Sequence, residues 1–216
     1  INFNNEKEGK VYPTKESILK AVADVRAEKL EAYVDNVKDE PIMTTMPKKG
    51  SIKKEIKNDK LGFTELQLSN GAKVILKKTD LKADQVLLSG EGFGGASLYG
   101  KEDYINFKVF GNAMNASGLG NFSNTELQKA LAGKIASASL DVSRTRVNVD
   151  GSSTPNDVET MLQLVHLYFT NIKKDEKSFA SLLSGIETTL RNAEVSPETA
   201  FNDSVTATLT AHNLYD

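Results

Sequence analysis

The dipeptide Asn70-Gly71 sits between two short alternating runs, and it limits the possible folds more sharply than any other feature. Before it, Phe63, Glu65, Gln67 and Ser69 alternate with Thr64, Leu66 and Leu68. After it comes Lys73-Val74-Ile75-Leu76-Lys77. A period of two marks a strand with one wet face. Asn-Gly offers the two positive-φ positions of a type I′ turn, whose twist suits antiparallel strands. The segment therefore predicts a β-hairpin, and a hairpin commits its surroundings to an antiparallel sheet.

The rest of the chain follows in blocks. A third strand is expected at residues 84–89, running into Gly90-Glu91-Gly92-Phe93-Gly94-Gly95. Residues 103–116 read as a helix with Tyr104, Ile105, Phe107, Val109, Phe110 and Met114 apolar, stopped by Ser117-Gly118-Leu119-Gly120. Ser123-Asn124-Thr125-Glu126 is a capping-box sequence, and Leu127, Ala130 and Leu131 follow on one face. Two alternating runs, 134–143 and 144–151, predict two more strands. Thr154-Pro155 then opens a helix, with Thr as N-cap, Pro at the first position and Val158, Met161, Leu162, Val165 and Phe169 on its apolar face. Another helix shows Phe179, Leu182, Leu183, Ile186 and Leu190, and Pro197 starts a last one.

Upstream, residues 13–37 have helical spacing: Ile18, Val22 and Val25, then Leu30, Val34 and Val37 after a possible break near Arg26. Two prolines and a glycine within residues 41–50 mark a linker. Six lysines and two acids between Lys48 and Lys60, with no aromatic among them, read as more solvated linker than binding patch. Strands and helices are grouped, not strictly alternating. That order predicts an α+β fold, a mainly antiparallel sheet with helices packed on one face. Residues 1–60 are expected to be helix and linker, and residues 61–216 the α+β domain.

Charge and composition exclude several functions. With 27 basic and 29 acidic residues the net charge is −2, which gives no field for nucleic acid or an anionic membrane. There is no cysteine, so disulfides, thiolate zinc sites and Cys nucleophiles are out. No apolar run approaches the ~20 residues of a membrane span. Residues 1–6, Ile-Asn-Phe-Asn-Asn-Glu, have no signal-peptide character, and a start on Ile1 is expected of a piece cut from a longer chain.

Chemistry-bearing patterns are few. Gly90, Gly92 and Gly95 match G-x-G-x-x-G, but Gly100 and three charged residues interrupt any helix beginning at Gly95. No strand ending in an acid follows about 20 residues on, as a dinucleotide site requires. The glycines are better read as a strand end with close backbone packing. His166 and His212 are the two histidines, too far apart in sequence for a metal motif. His166 is expected half-buried beside its helix's apolar stripe, and His212 exposed. Asp80 and Asp84 flank a turn, Glu187 lies on an amphipathic helix, and neither Ser117-Gly118 nor Ser184-Gly185 forms a nucleophile elbow. No catalytic, cofactor-binding or metal residue is assigned.

Two stretches nonetheless match a known family. One is Gly62–Asp84, containing the hairpin. The other is Gly94-Gly95-Ala96-Ser97-Leu98, then Ser117-Gly118-Leu119-Gly120-Asn121-Phe122-Ser123, the helix of Glu126-Leu127, and Leu131-Ala132-Gly133-Lys134. In order and spacing they resemble the start of the C-terminal half of bacterial zinc peptidases of the pitrilysin/insulinase (inverzincin) family. The stretch from Pro13 to Pro47 is similar to the helix and linker that join this half to the first. The resemblance implies repeated α+β domains in two halves that close like a clamshell on an unfolded peptide. It also implies zinc, held in the N-terminal half by His-x-x-Glu-His and a later Glu, with the motif's Glu activating a water.

The chain departs from that motif. Its corresponding helix, residues 103–112, contains no His and no Glu, and it is expected to turn apolar residues inward. Glu187 falls near the place of a distal ligand but cannot make a site without histidines. The resemblance thus implies a non-catalytic domain with no cofactor of its own. Its partners would be peptide substrate and the other half of the polypeptide, in a bacterial periplasm or cell envelope. The rival from another class is a catalytically dead structural or assembly subunit of the same fold. A nucleotide-binding module is the third reading.

Overall fold

The computed structural model describes residues 8–29 and 38–212, and the chain divides into two units, residues 1–36 and 37–216. In the first unit, helix α1 (Lys15–Ala27) is capped by the Thr14 hydroxyl, which accepts from the Ser17 N–H at 3.2 Å. Its Ile18, Val22 and Val25 are exposed. The expected continuation through Leu30, Val34 and Val37 lies outside the described residues.

The second unit opens with an antiparallel sheet of order β1-β2-β3: β1 (Ile52–Asn58), β2 (Phe63–Leu68) and β3 (Lys73–Leu76). The hairpin forms as the sequence predicts, but its turn differs. The Gly71 N–H donates to the Leu68 carbonyl at 3.0 Å, and only Gly71 takes a positive φ, +91°. Asn70 instead accepts from the Ala72 N–H through its side-chain oxygen at 3.0 Å. A turn of this kind lets one glycine absorb the left-handed position that type I′ would ask of both residues. The lysine-rich stretch read as linker is also corrected, because Ile52–Asn58 pairs with β2 as a strand. Lysines are at home on such a sheet margin, since they keep it wet and discourage further pairing.

The remaining elements are, in order, β4 (Val86–Phe93), α2 (Tyr104–Ala116), β5 (Gly118–Leu119), α3 (Asn124–Ala130), β6 (Ala136–Val142), β7 (Arg146–Ser153), α4 (Val158–Thr170), β8 (Ile172–Lys173), α5 (Glu176–Glu194) and α6 (Pro197–Leu209). The third strand expected from the sequence forms, and it belongs to a second antiparallel sheet of order β4-β7-β6. Alternation decides its faces. Ala136, Ala138, Leu140 and Val142 of β6 turn inward, and Ser137, Ser139 and Asp141 face solvent. Helix α4 covers β6 and β7 with Met161 and Leu164 buried, and α2 packs against β6. Gly151 permits the close approach of α4, since a Cβ there would stand 2.9 Å from the Met161 sulfur.

The core centres on Phe122, fully buried, with Met43, Leu119, Leu127, Leu164 and Leu167 around it. The small sheet β5-β8 holds Leu119 in place, and Gly118 is required there because a Cβ would overlap the Phe122 carbonyl oxygen. The capping box of α3 forms in full: the Glu126 N–H donates to the Ser123 hydroxyl at 3.3 Å, and the Ser123 N–H to the Glu126 carboxylate at 2.7 Å. Thr154 behaves otherwise than expected. Its hydroxyl binds the Asp157 carboxylate at 2.9 Å instead of capping, and a 3-10 turn, Pro155–Asp157, leads into α4.

Candidate functional site

The second sheet ends in a hollow of about 420 Å³ between β4, the end of β6-β7 and α2. Its shape begins with two glycines. Gly94 and Gly95 take φ of +148° and +79°, and a Cβ on Gly95 would lie 2.2 Å from the Ser143 carbonyl oxygen. Only glycine lets the strand end cross so close to the β6-β7 turn. Backbone bonds then lock the crossing: Ala96 N–H to Ser143 O at 3.0 Å and Ser97 N–H to Arg144 O at 2.7 Å. Two 3-10 turns, Ala96–Leu98 and Lys101–Asp103, reverse the chain into α2.

This reversal sets an aromatic wall opposite the sheet. Phe107 and Phe110 from α2 face Val142 and Val147, while Phe93, Leu98 and Tyr99 form the mouth. The Tyr99 and Phe107 rings lie 4.9 Å apart, tilted by 51°, within the favourable range for aromatic pairs. Outside, the Arg146 guanidinium sits 5.0 Å from the Phe93 ring centroid and pairs with Glu91 at 2.5 Å. The polar lining consists of Asp103 and Asn106.

Helix α2 stands where the resemblance places the zinc motif, so its donor set tests whether a metal fits. Zinc takes three or four nitrogen, sulfur or carboxylate ligands at ~2.0–2.3 Å. Toward the hollow α2 and the turn before it offer one carboxylate, one amide and two phenyl rings, from Asp103, Asn106, Phe107 and Phe110. That set does not fit zinc. Among the described residues no group of three or more His, Cys, Asp or Glu could hold a metal. The face is less apolar than the sequence suggested, because Asn106 is turned in and Ile105, 67% exposed, is turned out.

The other residues singled out from sequence are scattered. His166 is half-buried on α4, beside a separate hollow lined by Met43, Met46, Pro47 and Leu162. His212 follows α6 with φ +56° and is exposed. Asp80 and Asp84 are exposed between β3 and β4. Glu187 pairs with Arg191 at 2.6 Å one turn along α5, an exposed helix-surface contact. Ser117 caps α2 by donating to the Ala113 carbonyl at 2.7 Å, and Ser184 lies inside α5. Gly90 and Gly92 lie within β4, and Gly95 leads only into the three-residue 3-10 turn Ala96–Leu98, with no α-helix of the kind a dinucleotide site needs.

Sequence reasoning missed a polar hub beside the core. Lys38 and Lys173 both donate to the Asn121 carbonyl, at 2.6 and 2.8 Å, and both pair with Glu126, at 3.2 and 3.5 Å. The Ser123 backbone N–H, the Ser123 hydroxyl and Lys38 hold the Glu126 carboxyl down at about 2. The capping box was the only legible part, since the lysines come from distant segments.

No protein-family profile matches the chain. The chain is 29% identical over 192 residues to a protein named zinc protease PQQL-like from Arabidopsis thaliana, which covers 88% of this chain and 18% of that protein. The periplasmic protease PqqL from Escherichia coli superposes with a TM-score of 0.67 at 22% identity, over 88% of this chain and 21% of its own. A mutant of the ferredoxin protease FusC, solved with Arabidopsis ferredoxin, superposes at 0.69 with 16% identity, over 91% of this chain and 22% of its own. The chain thus spans about a fifth of the length of these relatives. Among the described residues no helix is long and apolar enough to cross a membrane. The chain is thus similar in sequence to a protein named a zinc protease, and it shares the α+β fold of PqqL and FusC.

Proposed function

We propose that this chain is a non-catalytic domain of a zinc metallopeptidase, one wall of the chamber in which the parent protein encloses a peptide. The observation that carries the reading is the hollow-facing side of α2, which presents phenyl rings and an amide where a peptidase half would present zinc ligands. Zinc and the water it activates would then belong to the other half of the polypeptide. Residues 1–60 would be the joining segment and residues 61–216 the domain body, with the end of the joining segment paired onto the body as β1. The similarity to a periplasmic protease supports a periplasmic or cell-envelope setting.

A peptidase assay with added zinc tests this, run on the chain alone and on the full-length parent. The expected result is no cleavage by the chain and cleavage by the parent. Cleavage by the chain alone would refute the reading. An inactive parent, with no His-x-x-Glu-His upstream, would favour the structural subunit instead.

A further inference from the structure

We propose that residues 38–47 are a releasable strap, which lifts off the larger unit while the rest of that unit stays folded. Met43 is its plug, and Lys38 is its catch, in competition with Lys173. The proposal concerns a movement within this chain and does not depend on the chamber-wall reading.

Side chains alone hold the strap. Among the described residues, no backbone N–H or C=O of 38–47 is hydrogen-bonded to another backbone group. A segment without such bonds opens locally at lower cost than paired strands and helices. Backbone pairing resumes at Ser51, whose carbonyl accepts from the Ser69 N–H at 2.8 Å and whose own N–H donates to the Ser69 hydroxyl at 3.1 Å. That point sets the downstream limit of the movement. Within the strap only Met43 is buried, in the cluster around Phe122, and Ile42 packs half-buried against that cluster. The other members, Leu119, Leu127, Leu164 and Leu167, come from β5, α3 and α4, which keep their own backbone bonds when the strap leaves.

The catch is built to let go. The Lys38 ammonium donates to the Asn121 carbonyl and pairs with Glu126, and the Lys173 ammonium makes the same two contacts. Two cations thus share one carboxylate and one carbonyl, and they repel each other over that short span. When Lys38 departs, Glu126 keeps Lys173 at 3.5 Å and the Ser123 N–H at 2.7 Å, and the Asn121 carbonyl keeps Lys173 at 2.8 Å. The cap of α3 is untouched. No charge is left without a partner, and the Lys38 side chain, already 34% exposed, gains water. The remaining polar ties are long: Asn121 to Glu40 at 3.4 Å, and Gln163 to the Met46 sulfur at 3.9 Å. Release gives up chiefly the burial of Met43 and Ile42, and the place of the Lys38 ammonium 5.6 Å from the Phe122 ring centroid. Once released, the chain from Lys38 to Ser51 extends to at most about 45 Å. The strap therefore sets how far the chain before it can travel.

The chain has no cysteine, so one introduced thiol reports on one place. Met43→Cys puts it on the strap and Leu164→Cys puts it on α4; both truncate a buried side chain of the same cluster. Reaction of each 216-residue variant with dithiobisnitrobenzoate is followed from no urea up to the unfolding transition, which circular dichroism defines. Met43→Cys should react at least about ten-fold faster than Leu164→Cys without urea. Its rate should stay nearly flat below the transition, because strap opening exposes little surface, while that of Leu164→Cys should climb with global unfolding. Adding Lys173→Met to Met43→Cys should slow the reaction about two- to five-fold, since Lys38 then holds the carboxylate alone. Adding Lys38→Met should speed it by a similar factor. Equal rates with equal urea dependence would make the strap part of one cooperative core and overturn the proposal. An unchanged or faster reaction on adding Lys173→Met would overturn the competition at the catch. Thermolysin gives a check without any substitution: it should cut the unaltered chain ahead of Ile42 or Met43 at a rate likewise flat in urea. Cleavage there only as the whole unit unfolds would also overturn the strap.

Discussion

Replacing Phe122 by alanine should bring the larger unit close to unfolding. The ring is fully buried, with Met43 from the segment after residue 37, Leu119 and Leu127 nearby, and Leu164 and Leu167 from α4. Removing a ring so enclosed loses its transfer free energy and leaves a cavity that surrounding elements fill only partly, about 3–5 kcal/mol in all. Against a total stability of about 5–15 kcal/mol, that is a large fraction. For a unit of this size it means a melting point lower by about 10 °C. The Lys38 ammonium, 5.6 Å from the ring centroid, loses its aromatic partner as well. Phe122→Leu keeps most of the volume and should cost about 1.5 kcal/mol. The chain has no Trp, so urea and thermal unfolding are best followed by far-UV circular dichroism. Hydrogen exchange adds a spatial check: residues 38–47 and α4 should exchange faster in Phe122→Ala, while β1, β2 and β3 should change little. A loss below about 1 kcal/mol, or uniform acceleration that includes the first sheet, would refute this account of the core.

Ser123→Ala removes the cap of α3 and should cost about 1 kcal/mol in urea unfolding. The Glu126 carboxyl is depressed in the folded state, so its stabilisation is present above the ordinary value of 4.5 and is lost as pH falls toward about 2. Glu126→Gln should flatten the dependence of the unfolding midpoint on pH across that window, and an unchanged slope would argue against the hub. Gly118→Ala should destabilise by about 3 kcal/mol, since its Cβ would overlap the Phe122 carbonyl oxygen. Gly185→Ala, in an exposed turn of α5 with nothing within 4 Å of the added atom, should instead stabilise by up to about 1 kcal/mol in the same measurement. Zinc should not raise the melting temperature of the chain and EDTA should not lower it; a zinc-dependent rise lost on substituting Asp103 would overturn the donor-set argument.

What the sequence determined by itself was local. The alternation over residues 63–76, the apolar spacing of α2, α4 and α5, and the Ser123–Glu126 capping box each depend on neighbours within a few residues. Their signals are therefore written in the chain. The α+β class followed from their order, and the lack of a zinc motif in residues 103–112 could be read directly. Tertiary structure decided what depends on distant partners. β1 is a strand because β2 is there to pair with it, although its lysines read as linker. β4 pairs with β7 and not with the hairpin, a choice that no period-two pattern encodes. Lys38 and Lys173 meet at Glu126 only because the core around Phe122 draws their segments together. The hollow beside β4 exists for the same reason. Gly94 and Gly95 reverse the chain so that Phe107 and Phe110 face Val142 and Val147, and side chains from four elements make a surface that none of them specifies alone.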